Sequence, residues 1–485
     1  MKIFIGYPPT NSEKGIALLS QNRQFQWFSN PSYLFPVILG SAATLLKKEG
    51  HEVFWVDSIA EKIQWNEFIK KIENEKPNLF AFETKTPVIK QHWKIINELK
   101  KKFPEMKIAL LGDHVTSFPE ESLKNSEADF VIRGGDFDFS LMELCDWISG
   151  KIKKCPAGVY YKKNRKIINS GEFALRHGLD EAPFIDRELT KWKLYEKEYN
   201  LQGNPFFYIM SGRDCWWGKC KFCAWPTLFP RFRVRSVENV LNEIGMLIEK
   251  YKVKEIFDDS GTLMTGKWLK DLCEGLIKRG YNKKIKYSCN MRFGALNQEE
   301  FILMKKAGFR LLKFGLESAN QKTLDRLNKG IKVEDILNGC RMAKKAGLTV
   351  HLTMIVGYPW ETKEDAMYTF KLARKLMQSG KADLLQATVL VPYPGTPLWK
   401  EAKENNWFLF NPLEYERYDM REPVLKIENG NAQEIAGICG KIYTIFLTPN
   451  YIFQRMKNIR TWNDFKFNLR GVKAVFGHLK DFVKK

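Results

Sequence analysis

The chain reads as an α/β protein in three parts: a doubly wound parallel sheet, a partial (β/α)6 barrel, and a helical C-terminal region. Three observations predict this. Short apolar strands alternate with amphipathic helices over residues 1–150, the pattern of a parallel sheet with crossover helices. The alternation resumes at 205–400 for six further strands. From about Trp399 the pattern turns helical and stays so through 401–485.

The elements follow in order. Lys2–Gly6 is a strand, Pro36–Glu49 a helix stopped by Gly50, Glu52–Asp57 a strand, and Trp65–Asn74 a helix. Leu79–Glu83 is followed by a helix through Lys101, and the strands Ile108–Gly112 and Phe130–Arg133 complete the first sheet. Such sheets bind ligands at the carboxyl ends of their strands. Those ends read Pro8-Pro9-Thr10, Glu83-Thr84-Lys85-Thr86, Gly112-Asp113-His114 and Arg133-Gly134-Gly135, all short and polar or glycine-bearing. Residues 151–204 form a connector, with Leu179–Arg187 as an extended crossing segment. The barrel strands are Phe206–Met210, Glu255–Asp258, Ile285–Ser288, Leu311–Gly315, Val350–Val356 and Leu385–Val391. Chemistry in barrels sits on the loops at the strands' carboxyl ends.

Composition narrows the function classes. With 485 residues, 44% hydrophobic and 13% aromatic, the chain has length for two to three globular domains. No run of 18 apolar residues occurs, so no spanning helix is expected, and a chain that starts on a strand is not expected to carry a signal peptide. Nine scattered cysteines do not make a disulfide framework, which points to a reducing, cytoplasmic setting. A formal charge of +22 calls for an anionic partner or a solvated basic surface. Ten Lys/Arg and two acids fall between Lys441 and Lys485, where Tyr451–Arg460 and Phe465–Arg470 mix aromatics with positive charge. Such segments lie on anionic membranes or cap a barrel. No RRM, KH, helix-turn-helix or zinc-finger signature is present, so nucleic acid is not an expected partner.

Cys215, Cys220 and Cys223 fall within nine residues, on the loop leaving the first barrel strand. Three thiolates at this spacing hold three irons of a 4Fe–4S cluster and leave the fourth open for a ligand. The alternative is three of a zinc site's four ligands, although no second Cys or His pair lies nearby. The remaining six cysteines read as core thiols, with Cys289 at a strand end the one candidate for a site role.

With the cysteine loop, Asp258-Asp259-Ser260-Gly261, Asn290-Met291-Arg292, Phe314–Ser318, Val356–Pro359 and Val391–Thr396 come in an order that resembles the radical S-adenosylmethionine (SAM) enzymes. Pro77–Phe82, Gly112-Asp113-His114 and Asp129–Gly134 are similar to the cobalamin-binding, Rossmann-like domain that precedes the barrel in one subgroup, and Leu179–Pro183 resembles the segment between the two. Cys223–Ser236 is similar to the hopanoid-biosynthesis-associated members. The resemblance implies a cluster on the three cysteines, SAM on its open iron, and cleavage of SAM to a 5′-deoxyadenosyl radical by an electron from a flavodoxin- or ferredoxin-type donor.

Phe222, Asp258, Asn290, Arg292, Gly315, Glu317, Ser318 and Gly357 are then the SAM-binding candidates. Gly315 and Gly357 let backbone approach a ligand; Asn290, Arg292 and Glu317 suit ribose hydroxyls or the methionine carboxylate. An ordinary barrel salt bridge is the other reading of the charged pair. Trp216, Trp217 and Trp225 would shield the cluster. Pro9, Thr10, Ser12, Glu83, Thr84, Gly112, Asp113, His114, Arg133 and Gly134 are the implied cobalamin contacts.

Two features depart from the family pattern. The spacing is C-x4-C-x2-C in place of C-x3-C-x2-C, and Gly218 is positioned to absorb the extra residue with a positive φ. Ser12 stands where the cobalt-ligating histidine of many such domains falls, so cobalamin is expected without histidine ligation, His114 lining the crevice instead. The expected reaction is methyl transfer to an unactivated carbon of an apolar small-molecule or lipid substrate. Radical cyclisation or ring-forming oxidation is the alternative, followed by a basic RNA-binding iron–sulfur protein. The tRNA methylthiotransferases are set aside because no cysteine precedes Cys145.

Overall fold

Strands buried on both faces must find partners on both edges, and the first sheet does so in parallel. The computed structural model describes residues 1–485 apart from 20–24, 30, 32, 197–200, 429, 458, 460, 461, 484 and 485. Asn458 and Arg460 of the basic tail, with its two terminal lysines, thus lie outside the described residues. Glu52–Asp57, Lys2–Tyr7, Leu79–Glu83, Lys107–Leu111 and Phe130–Ile132 lie side by side in that order. The second strand in the chain thus flanks the first, and the third lies on the other side. Connections leave in opposite directions at Lys2–Tyr7 and Leu79–Glu83, the switch point at whose carboxyl side such sheets bind ligands. Register is fixed by apolar pairs such as Ile3↔Val53 and Phe4↔Phe80.

Two strands of the connector join this sheet. Val159–Lys163 and Lys166–Asn169 form a hairpin that adds antiparallel to Phe130–Ile132. Its turn residues Asn164 and Arg165 both adopt positive φ, 50° and 63°, the twist a two-residue hairpin loop requires. A three-stranded sheet of Asn11–Ser12, Gly15–Ala17 and Trp27–Phe28 follows the first strand, an element absent from the sequence expectation.

The second sheet runs in chain order, all parallel: Phe206–Ile209, Glu255–Asp258, Lys286–Met291, Phe309–Glu317, Thr349–Val356, Leu384–Val389. Helices Val237–Tyr251, Lys267–Lys278, Gln298–Lys306, Val333–Lys345 and Lys363–Gln378 cover its outside. Their starts are written locally: Ser236 caps one, and Asn297/Glu300 and Thr362/Asp365 form capping boxes. This is the expected partial barrel. The helix Ala432–Tyr443 packs on its last two strands, and the helix Trp462–Val483 sends Phe467, 4% exposed, against Arg310 at the foot of the fourth.

The carboxyl ends of the two sheets face each other. Arg213, just ahead of the cysteine loop, donates to Asp136 and Asp138 at 2.6–3.0 Å, and Arg233 donates to Asp136 at 2.6 Å. Ser117, on the helix after the fourth strand, donates to the Pro394 carbonyl at 3.0 Å. The Gly135 amide donates to the Leu228 carbonyl at 2.9 Å, and the Phe25 amide to the Tyr393 hydroxyl at 3.0 Å.

Candidate active site

The cysteine loop is held at its root by Asp258. Its Oδ1 accepts from the Ser211 amide at 3.1 Å and the Ser260 hydroxyl at 2.6 Å, while Oδ2 accepts from the Tyr287 hydroxyl at 2.8 Å. Ser260 Oγ in turn accepts from the Gly212 amide at 2.8 Å. The loop also needs Gly261: a Cβ there would stand 1.9 Å from Asp214 Oδ1. Gly218 adopts φ +59°, as the extra residue between the first two cysteines requires. Further on, the Lys221 amide donates to the Leu327 carbonyl and the Leu398 amide to the Lys221 carbonyl, both at 3.0 Å.

A second loop, 327–330, closes over the first. Trp217 Nε1 donates to the Asn328 carbonyl at 2.8 Å. The Arg292 guanidinium stacks 4.1 Å from the Trp217 ring and donates to the Lys329 and Gly330 carbonyls. Lys329 Nζ pairs with Glu317 at 2.7 Å and lies 6.0 Å from the Phe222 ring. Burial would lower the Lys329 ammonium, but Glu317 and Cys220 raise it above its ordinary value, so it stays charged beside the thiols. Burial pushes the Cys220 and Cys223 thiols up, with Lys329 acting against that shift at Cys220.

The three cysteines share one cavity with Phe222, Asn290, Arg292, Gly315 and Glu317, a cleft of about 1160 Å³ including its open mouth. Alternation along the strands brings Lys313, Thr353, Ile355, Gln386 and Thr388 into the same wall. Tyr393 and Met420 close the side toward the first sheet. The residues fit a three-cysteine cluster: three thiols line the cavity, and no fourth does among the described residues. Among the described residues, no three His, Cys, Asp or Glu side chains, these cysteines included, are drawn in around a single metal ion.

Three SAM-binding candidates do not reach this cavity. Asp258 is committed to the loop root, and Ser318, just past the end of the fourth barrel strand, donates to Glu361 at 2.7 Å. Gly357, φ +90°, packs against Val389 and is not part of the lining. Cys289 is fully buried in the barrel's outer core, where burial pushes its thiol far up. Asp214, Lys313, Lys329, Tyr393 and Met420 line the cavity without having been singled out from sequence.

The cobalamin candidates divide. Thr10, Glu83, Thr84, Gly112 and Asp113 cluster, buried, at the strand ends, with Pro9 buried next to Thr10. Tyr7 donates to Glu83 at 2.7 Å, and Thr10 and Thr84 bond the two ring nitrogens of His92. Gly112, φ +113°, leaves no room for a Cβ, which would stand 2.4 Å from the Thr84 carbonyl. Burial pushes Glu83 up to about 7 and raises Asp113. Ser12 is exposed and accepts from the Lys14 amide. His114 is fully buried, its two nitrogens engaged by Thr86 and Glu121 at 3.2 and 3.1 Å. Arg133 binds the Thr116 carbonyl and Glu172, and the Gly134 amide donates to Thr116 Oγ1. Those two are occupied in holding the fifth strand's loop.

Comparison with known proteins agrees with this geometry. Residues 209–373 match the radical SAM superfamily. An uncharacterized methyltransferase of Pyrococcus horikoshii is 29% identical over 484 residues, covering 98% of this chain and 99% of the relative. The anaerobic magnesium-protoporphyrin IX monomethyl ester cyclase of Cereibacter sphaeroides is 24% identical over 448 residues, 90% of this chain and 70% of that one. The cobalamin-dependent SAM radical enzyme OxsB, solved with aqua-cobalamin and SAM bound, shares the fold over 98% of this chain and 71% of its own, with a TM-score of 0.71 at 14% identity. The cysteine loop, the partial barrel and the family match converge: the chain is an enzyme whose residues 209–373 are similar to the radical SAM superfamily.

Proposed function

We propose that the protein is a cobalamin-dependent radical SAM methyltransferase that methylates an unactivated carbon of an apolar substrate. The observation that carries this reading is the placement of the three-cysteine cavity opposite the carboxyl ends of the first sheet, with Tyr393 and Phe25 linking the two. Relatives and structural neighbours named as a methyltransferase and as a cobalamin enzyme support it. A cluster and cobalamin bound there would supply, respectively, the electron that cleaves SAM and the carrier for its methyl group.

The chain's own residues prepare the site. Cys215, Cys220 and Cys223 are the thiolate ligands. Lys329, held by Glu317, places a positive charge beside Cys220 and favours its thiolate. Arg292 locks loop 327–330 over the cysteine loop. Asn290 Nδ2, donating to the Ser260 carbonyl at 2.9 Å, leaves its carbonyl oxygen to accept from a ligand. Glu83, Thr84, Gly112 and Asp113 present the crevice floor to a corrin, and with both His114 nitrogens engaged no histidine of this set is offered as a lower ligand. Ile355, Val389, Leu390, Val391 and Met420 give the cavity an apolar side that suits an apolar substrate. Reducing equivalents come from a flavodoxin- or ferredoxin-type donor in this reading.

Cyclisation is the second reading, favoured by the relative named as a cyclase. Methyl-labelled methionine fed to an anaerobic host expressing the protein separates the two. Label in an enzyme-dependent product, with S-adenosylhomocysteine and 5′-deoxyadenosine formed together, is the expected result. An enzyme-dependent product without label, formed with 5′-deoxyadenosine alone, would overturn methylation in favour of cyclisation.

A further inference from the structure

Of the sixteen exposed large apolar side chains among the described residues, nine fall between Leu447 and Phe476. A soluble surface scatters such groups singly; concentration on one segment marks a contact face. On the helix Trp462–Val483 they form a stripe. Trp462, Phe465, Leu469, Val472 and Phe476 are 44–67% exposed, and at 3.6 residues per turn they fall within about 80° of arc. Phe467, on a different side of the same helix, is the residue that packs into the barrel foot, so most of the stripe lies off the helix's packing face, Val472 and Phe476 bordering it. The preceding helix Pro449–Met456 adds Ile452, Phe453 and Met456.

Charge lies alongside. Lys466 and Lys473 flank the stripe at the same helical pitch. Lys457 Nζ stands 4.3 Å from the Phe453 ring and Lys466 Nζ 5.8 Å from the Trp462 ring. The segment Lys441–Lys485 carries ten Lys/Arg against two acids. Apolar side chains with cations over their rings suit an acyl boundary below anionic headgroups. No described helix is long and apolar enough to cross a membrane, so the contact would be with the surface. An apolar cavity of about 1040 Å³ including its open mouth, lined by Leu385, Phe446, Ile452, Val472 and Phe476, opens between these helices and the barrel's last strand. Gln386 borders both that cavity and the active-site cleft.

We propose that the helices Pro449–Met456 and Trp462–Val483 form a docking face for an anionic lipid bilayer, which sets the barrel's open edge against the acyl layer. The inference does not depend on methyl transfer and is tested without substrate. The reconstituted full chain is sedimented with vesicles of phosphatidylcholine alone and of phosphatidylcholine with phosphatidylglycerol. The protein is expected to pellet with the anionic vesicles, and the bound fraction should fall as salt screens the charge. Phe453→Ser/Trp462→Ser/Phe465→Ser should weaken binding about tenfold or more while leaving the unfolding midpoint in place, since these groups are exposed in the fold. Lys457→Gln/Lys466→Gln/Lys473→Gln should remove the preference for the anionic vesicles. Wild type that stays in the supernatant with both compositions overturns the proposal. So does a serine variant that pellets as wild type does, or a dimer that the serine substitutions dissolve when neither vesicle is bound.

Discussion

Glu83 shows how a single residue at a strand end reports on the crevice. It is buried with the Tyr7 hydroxyl 2.7 Å away, and burial pushes its carboxyl from 4.5 up to about 7. A raised carboxyl binds its proton more tightly folded than unfolded. Its contribution is therefore fully present below about pH 4.5 and is lost as pH rises through about 7. The loss is on the order of 3 kcal/mol from a shift of that size. Glu83→Gln, which keeps an acceptor for Tyr7, should gain stability relative to wild type between pH 5 and 8, measured by denaturant unfolding at each pH. A difference that stays flat across that window would show that Glu83 is already ionised. At this scale the cysteines and Gly218 were legible, because ligand spacing and a required positive φ are local properties. Glu317 and Ser318 were not separable: the strand ends at Glu317, whose positive φ of 59° turns the chain, so one reaches the cavity and the other a buried contact with Glu361. Lys329 and Met420 arrive from loops with no motif to announce them.

The element that joins the two halves is the short segment carrying Arg213. Its guanidinium is clasped by Asp136 and Asp138; burial alone would lower its pKa, but the two carboxylates raise it. Removing the cation leaves Asp138 buried without its cation, while Asp136 keeps Arg233. Arg213→Met is expected to cost about 3 to 5 kcal/mol in denaturant unfolding. Adding Asp138→Asn should recover much of that, since the uncompensated charge goes with it; failure to recover would assign the loss to packing. The strands were legible because each is a continuous apolar run, and the edges observed differ from expectation by a few residues. The hairpin at Val159–Asn169 was overlooked although Asn164 and Arg165 sit between two strand-like segments. Its strands are short and half polar, as an edge hairpin must be, and so resemble a linker. The small sheet after Tyr7 is hidden for the same reason, with strands of only two or three residues.

At the scale of the whole molecule, the two sheets meet at their carboxyl ends, and the central claim is that the cavity at the barrel's end holds a 4Fe–4S cluster on its three cysteines. That meeting is held by contacts such as Phe25 to Tyr393 and Ser117 to Pro394, hundreds of residues apart, which no local pattern encodes. The order of the parts was readable from periodicity and their facing was implied by the family resemblance; the contacts that hold it were not readable. The claim is tested most directly by anaerobic iron–sulfur reconstitution of wild type and of Cys215→Ala/Cys220→Ala/Cys223→Ala, with iron, sulfide and zinc quantified per folded chain and the reduced proteins examined by electron paramagnetic resonance. The account predicts about four irons and four sulfides in wild type, a reduced-cluster signal that changes when SAM is added, and loss of all of these in a triple variant that unfolds cooperatively as wild type does. A triple variant that keeps its cluster, or a wild type that takes up one zinc in place of iron, would contradict it.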